Sequence, residues 1–386
     1  MSAFLALLLF ILVPFALLSA TEEIPSIKVG HVGHDHQVAL YAAIEAGKSL
    51  EKDYGVYFKP VKEQEVYDLY DKGSLVARVQ FVRVGGGAKM PAALEQGHIE
   101  VGLGGIGPVV KFMDKGSPMK ILAPLNNDGD ALVLRNAFSS STWDDFAASA
   151  KKTGSPLRIG YKAPLANAYM IFTRALKDAG ISYGQEPVDK DGRPVNVIMV
   201  NLQEDENALA ALEGGIVDGV VINEPYPSLL VHKGVGRRLL DLSGLPPKGK
   251  WQGHPCCVVA ASEQALREKR GTIKSLLKAI AAGADRMAMD GNLALSAEAA
   301  WTKTPPEVGR ESLMHVTYVI TPDEAWLKGV ESWIGFMAES GHIQKNLKGK
   351  SVAEVREAIL DLGPMRDALS EIRLASKGAK GKAASK

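Results

Sequence analysis

The segment GHVGHDH (30–36) places His31, His34, Asp35 and His36 within one short stretch, and His254 stands far along the chain. Imidazole and carboxylate together can bind a transition metal, and imidazole alone is a good hydrogen-bond partner for anionic oxygens. On an extended strand His34 and His36 would face the same side, offering two ligands from one segment. Three roles follow for these histidines: hydrogen bonding to an organic ligand, structural bonding, or metal binding. Cys256 and Cys257 are the only cysteines and are adjacent. Alternation along a strand would turn them to opposite faces, and a disulfide between neighbours is strained. The pair therefore reads as small buried apolar side chains, with metal or redox use as the alternative, and stability must come from packing.

Gly85, Gly86 and Gly87 precede a helical pattern, and Gly104 and Gly105 end an apolar run. Glycines at helix starts let backbone N–H groups approach carboxylate, sulfonate or phosphate oxygens, although each is equally suited to a tight turn. Lys162 could pair with an anionic ligand or be solvated. Tyr226 and Trp251 could stack on a flat ligand, and Trp251 could equally lie on a surface. Glu224 reads as a brace through backbone N–H groups. There is no G-x-S-x-G elbow, H-E-x-x-H pair or P-loop, so the chain reads as a binding protein and not an enzyme. No cofactor is expected.

The elements that position these residues alternate. Strand patterns at 27–32, 56–61, 99–105, 119–125, 157–161, 195–200, 217–223 and 238–243 are separated by helical ones, notably 38–47, 85–97, 107–116, 166–180 and 206–215. Such alternation implies βαβ units on parallel sheets, and its restart near residue 157 implies two lobes. The apolar runs 131–135 and 256–261 fit neither repeat and serve as crossing strands, entered through Asn126-Asn127-Asp128-Gly129 and Gly253-His254-Pro255. From Glu263 onward the pattern is helical, with Ser351 and Glu354 at capping-box spacing. The expected division is residues 26–128 with 256–374 as lobe I and 129–255 as lobe II.

Residues 1–20 carry no charge, and the apolar run Ala3–Leu18 is short for a membrane span and suits a signal peptide cleaved after Ala20. An uncleaved anchor is the alternative. Lys and Arg total 45 against 44 for Asp and Glu, which offers no basic face for nucleic acid. The Lys/Ala/Gly-rich segment 375–386 lacks apolar periodicity and predicts a disordered basic tail.

Four stretches, 91–135, 157–181, 206–230 and 256–280, resemble in order and spacing the nitrate/sulfonate/taurine/thiamine-precursor class of ABC-transporter substrate-binding proteins. The resemblance implies an α/β, two-lobed periplasmic binding protein fold of type II, each lobe a mostly parallel sheet flanked by helices, joined by two crossing strands. It also implies an exported monomer that binds a small ligand, anionic or pyrimidine-type, in the cleft and delivers it to separate permease and ATPase subunits. Two alternatives stay open: an enzyme of thiamine-pyrimidine synthesis on the same fold, and a metal-transport protein using His34 and His36. Residues 63–84 form an insertion relative to the family pattern.

Parallel sheets bind ligands outside the carboxyl ends of their strands. The candidate site is accordingly His34, Asp35, His36, Gln37, Gly85, Gly86, Gly87, Gly104 and Gly105 from the first lobe. Asn126 and Asn127 join them from the crossing, and Lys162, Asn167, Asn223, Glu224 and Tyr226 from the second lobe.

Overall fold

The computed structural model describes residues 24–86, 88–152 and 154–384, with the backbone alone over 375–384. The expected leader at 1–20 and Gly87 lie outside the described residues. In chain order the strands are β1 (Ser26–His31), β2 (Val56–Lys62), β3 (Val66–Asp71), β4 (Ser74–Arg83), β5 (Val101–Gly105), β6 (Met119–Asp128) and β7 (Asp130–Arg135). They continue with β8 (Leu157–Tyr161), β9 (Tyr183–Gly184), β10 (Val197–Asn201), β11 (Gly219–Asn223), β12 (Gly236–Asp241), β13 (Pro255–Ser262) and β14 (Val316–Tyr318).

Two sheets result. The first runs β14-β6-β13-β5-β1-β4-β3-β2 and the second β12-β7-β11-β8-β10-β9. At their centres, β5, β7 and β11 are buried or nearly so at every position, the continuous apolar pattern of strands covered on both faces. Chain membership changes sheets at Gly129, the single residue between β6 and β7, and again before Pro255. β7 and β13 each run antiparallel to their neighbours.

The insertion has a definite structure. β3 and β4 form a hairpin whose turn residues Lys72 and Gly73 both have positive φ, 52° and 79°, as a two-residue hairpin turn requires. β4, and not β2, then pairs in parallel with β1, so β2 is displaced to the sheet edge. Alternating burial along β3 fits an antiparallel ribbon packed on one face only.

Helices cover both sheets. Val38–Ala46 and the long helix Glu263–Met289 pack closely because Gly283 lies where a Cβ would meet the Ala39 carbonyl at 2.2 Å. A second apolar cluster contains Ile121 and Val258 of the first sheet together with Leu134, Tyr161 and Val221 of the second, joined by Trp333 and Phe336 of the helix Glu324–Glu339. It fastens the two halves on one side. The predicted capping box is present, Ser351 and Glu354 bonding each other's backbone N–H. The final helix spans Gly363–Ala384, so helical backbone continues through residues whose composition predicts a disordered tail. Among the described residues no helix is long and apolar enough to cross a membrane.

Candidate functional site

Carboxyl ends of strands from both sheets converge on two adjoining chambers that share His34 and Lys162. The outer chamber, about 180 Å³, is bounded by Arg83 at the end of β4 with Gly85 and Gly86 after it, and by Glu204, Glu206 and Tyr226 from beyond the second sheet's strand ends. The inner chamber is about 30 Å³ and reaches Gly105, Asn167, Asn223, Cys256 and Cys257.

The outer chamber is lined by charge that is already paired. Lys162, 5% exposed, forms an ion pair with Asp205, which is fully buried. Burial works against the charged form of both groups; Asp205 outweighs it at Lys162 and carries that pKa above its ordinary value, whereas at Asp205 burial outweighs Lys162 and raises the carboxyl. Lys89 pairs with Glu204, and Arg83 lies 3.6 Å from Glu206. These last two pairs span from the first sheet to the second. Asn167 ties the halves more deeply: its Nδ2 donates to the Cys256 carbonyl at 2.6 Å, and its Oδ1 accepts from the Gly107 N–H at 3.2 Å.

His34 lines both chambers, and its Nδ1 is buried without a hydrogen-bond partner among the described residues. Burial, reinforced by the Lys162 and His36 charges, holds its pKa well below that of free imidazole, so the ring is neutral at physiological pH. The expected strand geometry of 34–36 does not occur. β1 ends at His31 and Asp35–Gln37 is a turn of 3₁₀ helix, so His34 and His36 meet edge to face at 5.1 Å instead of lying side by side.

Several expected ligand contacts are instead internal bonds. Gln37 accepts from the Val32 N–H and Tyr41 hydroxyl and donates to the Leu103 carbonyl, fixing the histidine loop against β5. Asp35 is fully buried outside both chambers beside Glu298; burial first, then that neighbouring charge, pushes its carboxyl well above the usual range. Gly104 pairs with Val258 within the sheet. Asn126 accepts from the Cys257 N–H and donates to the Asp128 carbonyl, while Asn127 pairs with Thr317 across β14. Glu224 binds Arg238 and the Ser228 N–H and hydroxyl, so a guanidinium accompanies the backbone N–H expected to hold it. None of these reaches the chambers. Gly85 and Gly86 do, but the following helix, Met90–Glu95, is a short one that starts beyond them, which weakens the expected anion cradle. Trp251 is 3% exposed, so its surface reading fails.

At the inner chamber's floor, irregularities in β13 around Cys257 cancel the alternation expected of adjacent residues. Cys256 Sγ and Cys257 Sγ lie 3.4 and 3.6 Å from His36 Nδ1. The hydrogen bond from Cys256, and then His36, bring the Cys257 thiol down to about 6 despite burial, whereas Cys256 is held well above the ordinary thiol range. Burial opposes a charged His36, but Cys257 and Asp130 carry it up to about 9. Next to it His254 contacts Asp128 and Asp130 at 3.1 and 3.2 Å, which outweigh burial and carry its pKa up to about 10. Asn223 donates its amide to Asp130.

Sequence reasoning missed Arg83, Glu204, Asp205 and Glu206. The acidic run lies just after β10, a parallel strand's carboxyl end, so the rule that located the other candidates applies to it as well. Arg83 closes the inserted hairpin, for which the family pattern offers no counterpart.

The NMT1-like family matches residues 20–301. The chain belongs to that family. A curated relative, an uncharacterized protein of Methanocaldococcus jannaschii, is 34% identical over 136 residues, which is 34% of this chain and 94% of the relative. Among solved structures, a periplasmic nitrate-binding protein from Synechocystis PCC 6803 aligns with a TM-score of 0.68 at 16% identity, covering 90% of this chain and 89% of its own. The ligand-binding component of an ABC-type import system from Staphylococcus aureus, with zinc bound, gives 0.66 at 16% identity over 89% and 99%. An alkanesulfonate-binding protein from Xanthomonas axonopodis pv. citri, bound to MOPS, gives 0.62 at 16% identity over 86% and 98%. These likenesses establish the periplasmic binding protein fold for this member of the NMT1-like family.

Proposed function

We propose that this chain is the extracytoplasmic solute-binding component of an ABC importer, taking a small ligand in the cleft between its two sheets and handing it to permease and ATPase subunits. The observation that carries this reading is the pair of chambers built jointly from strand ends of both sheets and bridged by ion pairs from each side. The fold shared with nitrate- and sulfonate-binding proteins supports it.

The cleft's charge argues for a different ligand from theirs. Arg83, Lys89 and Lys162 are matched by Glu206, Glu204 and Asp205. Among the described residues lining the chambers, an anion finds no unpaired lysine or arginine, and desolvating a charge without a partner is costly. The ligand is therefore a small neutral or zwitterionic molecule, bonding to His34, Asn167 and Asn223. Native mass spectrometry of gently purified protein should find such a molecule bound, and deleting the gene should abolish its uptake. A chain that carries nothing, with uptake of every candidate solute intact after deletion, would end this proposal.

A further inference from the structure

His36, Cys256 and Cys257 meet beneath the inner chamber, each 4% exposed or less, and neither cysteine forms a disulfide. We infer that His36 Nδ1 and the two sulfurs are the protein ligands of a thiophilic divalent cation of the zinc type, bound at the floor of the cleft with one coordination position open to the chamber. The inference does not depend on the transport reading.

Geometry is the first support. The three donor atoms lie within 4.8 Å of one another, with the nitrogen 3.4 and 3.6 Å from the sulfurs. A zinc ion with Zn–S bonds of about 2.3 Å and a Zn–N bond of about 2.0 Å at the tetrahedral angle sets sulfur and nitrogen roughly 3.5 Å apart. Both nitrogen–sulfur separations thus match those of a tetrahedral zinc site. Adjacent residues on a regular strand could not achieve this; the irregular register of β13 at Cys257 is what brings both sulfurs to one side.

The surrounding bonds select the donor atom. His36 Nε2 lies 3.1 Å from the Gly129 carbonyl. A carbonyl only accepts, so Nε2 carries a proton, and Nδ1 is the atom turned to the sulfurs, where a metal ion would take the place of its proton. Orientation of a ligating imidazole by a backbone carbonyl is the usual outer-shell arrangement of metal sites. Residue 129 must be glycine for this contact: its φ is +92°, and a Cβ would stand 2.4 Å from His36 Nε2.

Charge and chemistry agree on the ion. Two thiolates neutralise a divalent cation, which a buried site requires. Asp130, beside Cys256, is already matched by His254. Sulfur and imidazole ligands together suit zinc over magnesium or calcium. Both cysteines also line the inner chamber of about 30 Å³, room for a water or one donor atom of a ligand at the fourth position.

Titration with Co²⁺ tests the site directly. Full-length protein, stripped with chelator and reduced with a phosphine under anaerobic conditions, should bind one equivalent. It should show a near-ultraviolet thiolate-to-cobalt charge-transfer band and the visible bands of tetrahedral cobalt, both lost on adding Zn²⁺. His36→Ala, Cys256→Ser and Cys257→Ser should each weaken binding by at least about tenfold, with circular dichroism confirming that each variant is folded. His98→Ala, at an exposed position, should change nothing. A folded wild-type protein without the thiolate band overturns the site. So does stoichiometric binding that survives all three substitutions, and tight binding of Cu⁺ without Zn²⁺ overturns the divalent assignment.

Discussion

Lys162 illustrates how a single partner changes what a side chain can recognise. By residue type it is an anion-binding group at the mouth of a cleft, but Asp205 occupies it. The ion pair lies within a buried wall, where removing one member costs far more than an exposed pair would. Asp205→Asn would leave the ammonium facing the chambers without its paired carboxylate. Calorimetry should then show small sulfonates or carboxylates binding more tightly by about 1.5–3 kcal/mol, the range of a charged hydrogen bond. The same variant should melt lower without ligand and recover when the anion is added. Unchanged anion affinity in a folded Asp205→Asn protein would mean that Lys162 is not available to the cleft at all.

Within elements, the clearest electrostatic knot joins the long helix Glu263–Met289 to the inserted hairpin and the final helix. Lys278 Nζ is 2.6 Å from Asp71 and 3.2 Å from Glu371, and Glu371 also accepts from Lys274 at 2.6 Å and lies 3.1 Å from Lys72. Burial raises the Glu371 pKa, but hydrogen bonds from Lys274, Lys72 and Lys278 outweigh it and bring the carboxyl down from 4.5 to about 2. A carboxyl depressed by folding contributes stability that is fully present above its unfolded pKa and is lost as pH falls through the folded value. The wild-type chain should therefore lose stability between about pH 4.5 and 2. Glu371→Gln should remove roughly 2 kcal/mol at neutral pH and flatten that part of the acid limb. Urea unfolding at a series of pH values reads both effects, and an acid limb identical in the variant would assign the loss to other groups.

At the scale of the whole molecule, the cleft is bridged by Lys89–Glu204 and Arg83–Glu206 at the outer chamber and by Asn167 at the inner one, while an apolar cluster also joins the two halves. Rotation about the crossings at Gly129 and His254 is a common binding-protein motion. The bridging side chains Arg83, Lys89 and Glu206 are each more than half exposed, so salt screens them readily. Without ligand, the protein should open as ionic strength rises, and Glu204→Gln combined with Glu206→Gln should open it at low salt. Small-angle scattering should report both as an increased radius of gyration, reversed by saturating ligand. Identical profiles in all conditions would show that these pairs do not hold the cleft shut.

The two-sheet architecture was legible in the sequence because it rests on local signals: apolar runs of strand length, helical periodicity between them, and a restart of the cycle. The rule that parallel strands present their carboxyl ends to a ligand located His34, Gly85, Gly86, Gly105, Lys162, Asn167, Asn223 and Tyr226 at the chambers by the same reasoning. Placement along the chain could not tell which polar groups point inward and which are consumed by the fold. Gln37, Asn126 and Glu224 stand at strand ends as expected, but bury their bonding capacity in loop and hinge contacts. Pairing of Lys162 with Asp205 joins residues from separate strand–helix units, and the meeting of His36 with Cys256 and Cys257 joins segments from opposite ends of the sequence. Period-2 alternation even pointed the wrong way for the cysteines, because a strand irregularity depends on the register of its neighbours β5 and β6. Local periodicity determines which elements form; long-range packing alone decides which side chains share a buried space, and so what charge and which donor atoms the cleft presents.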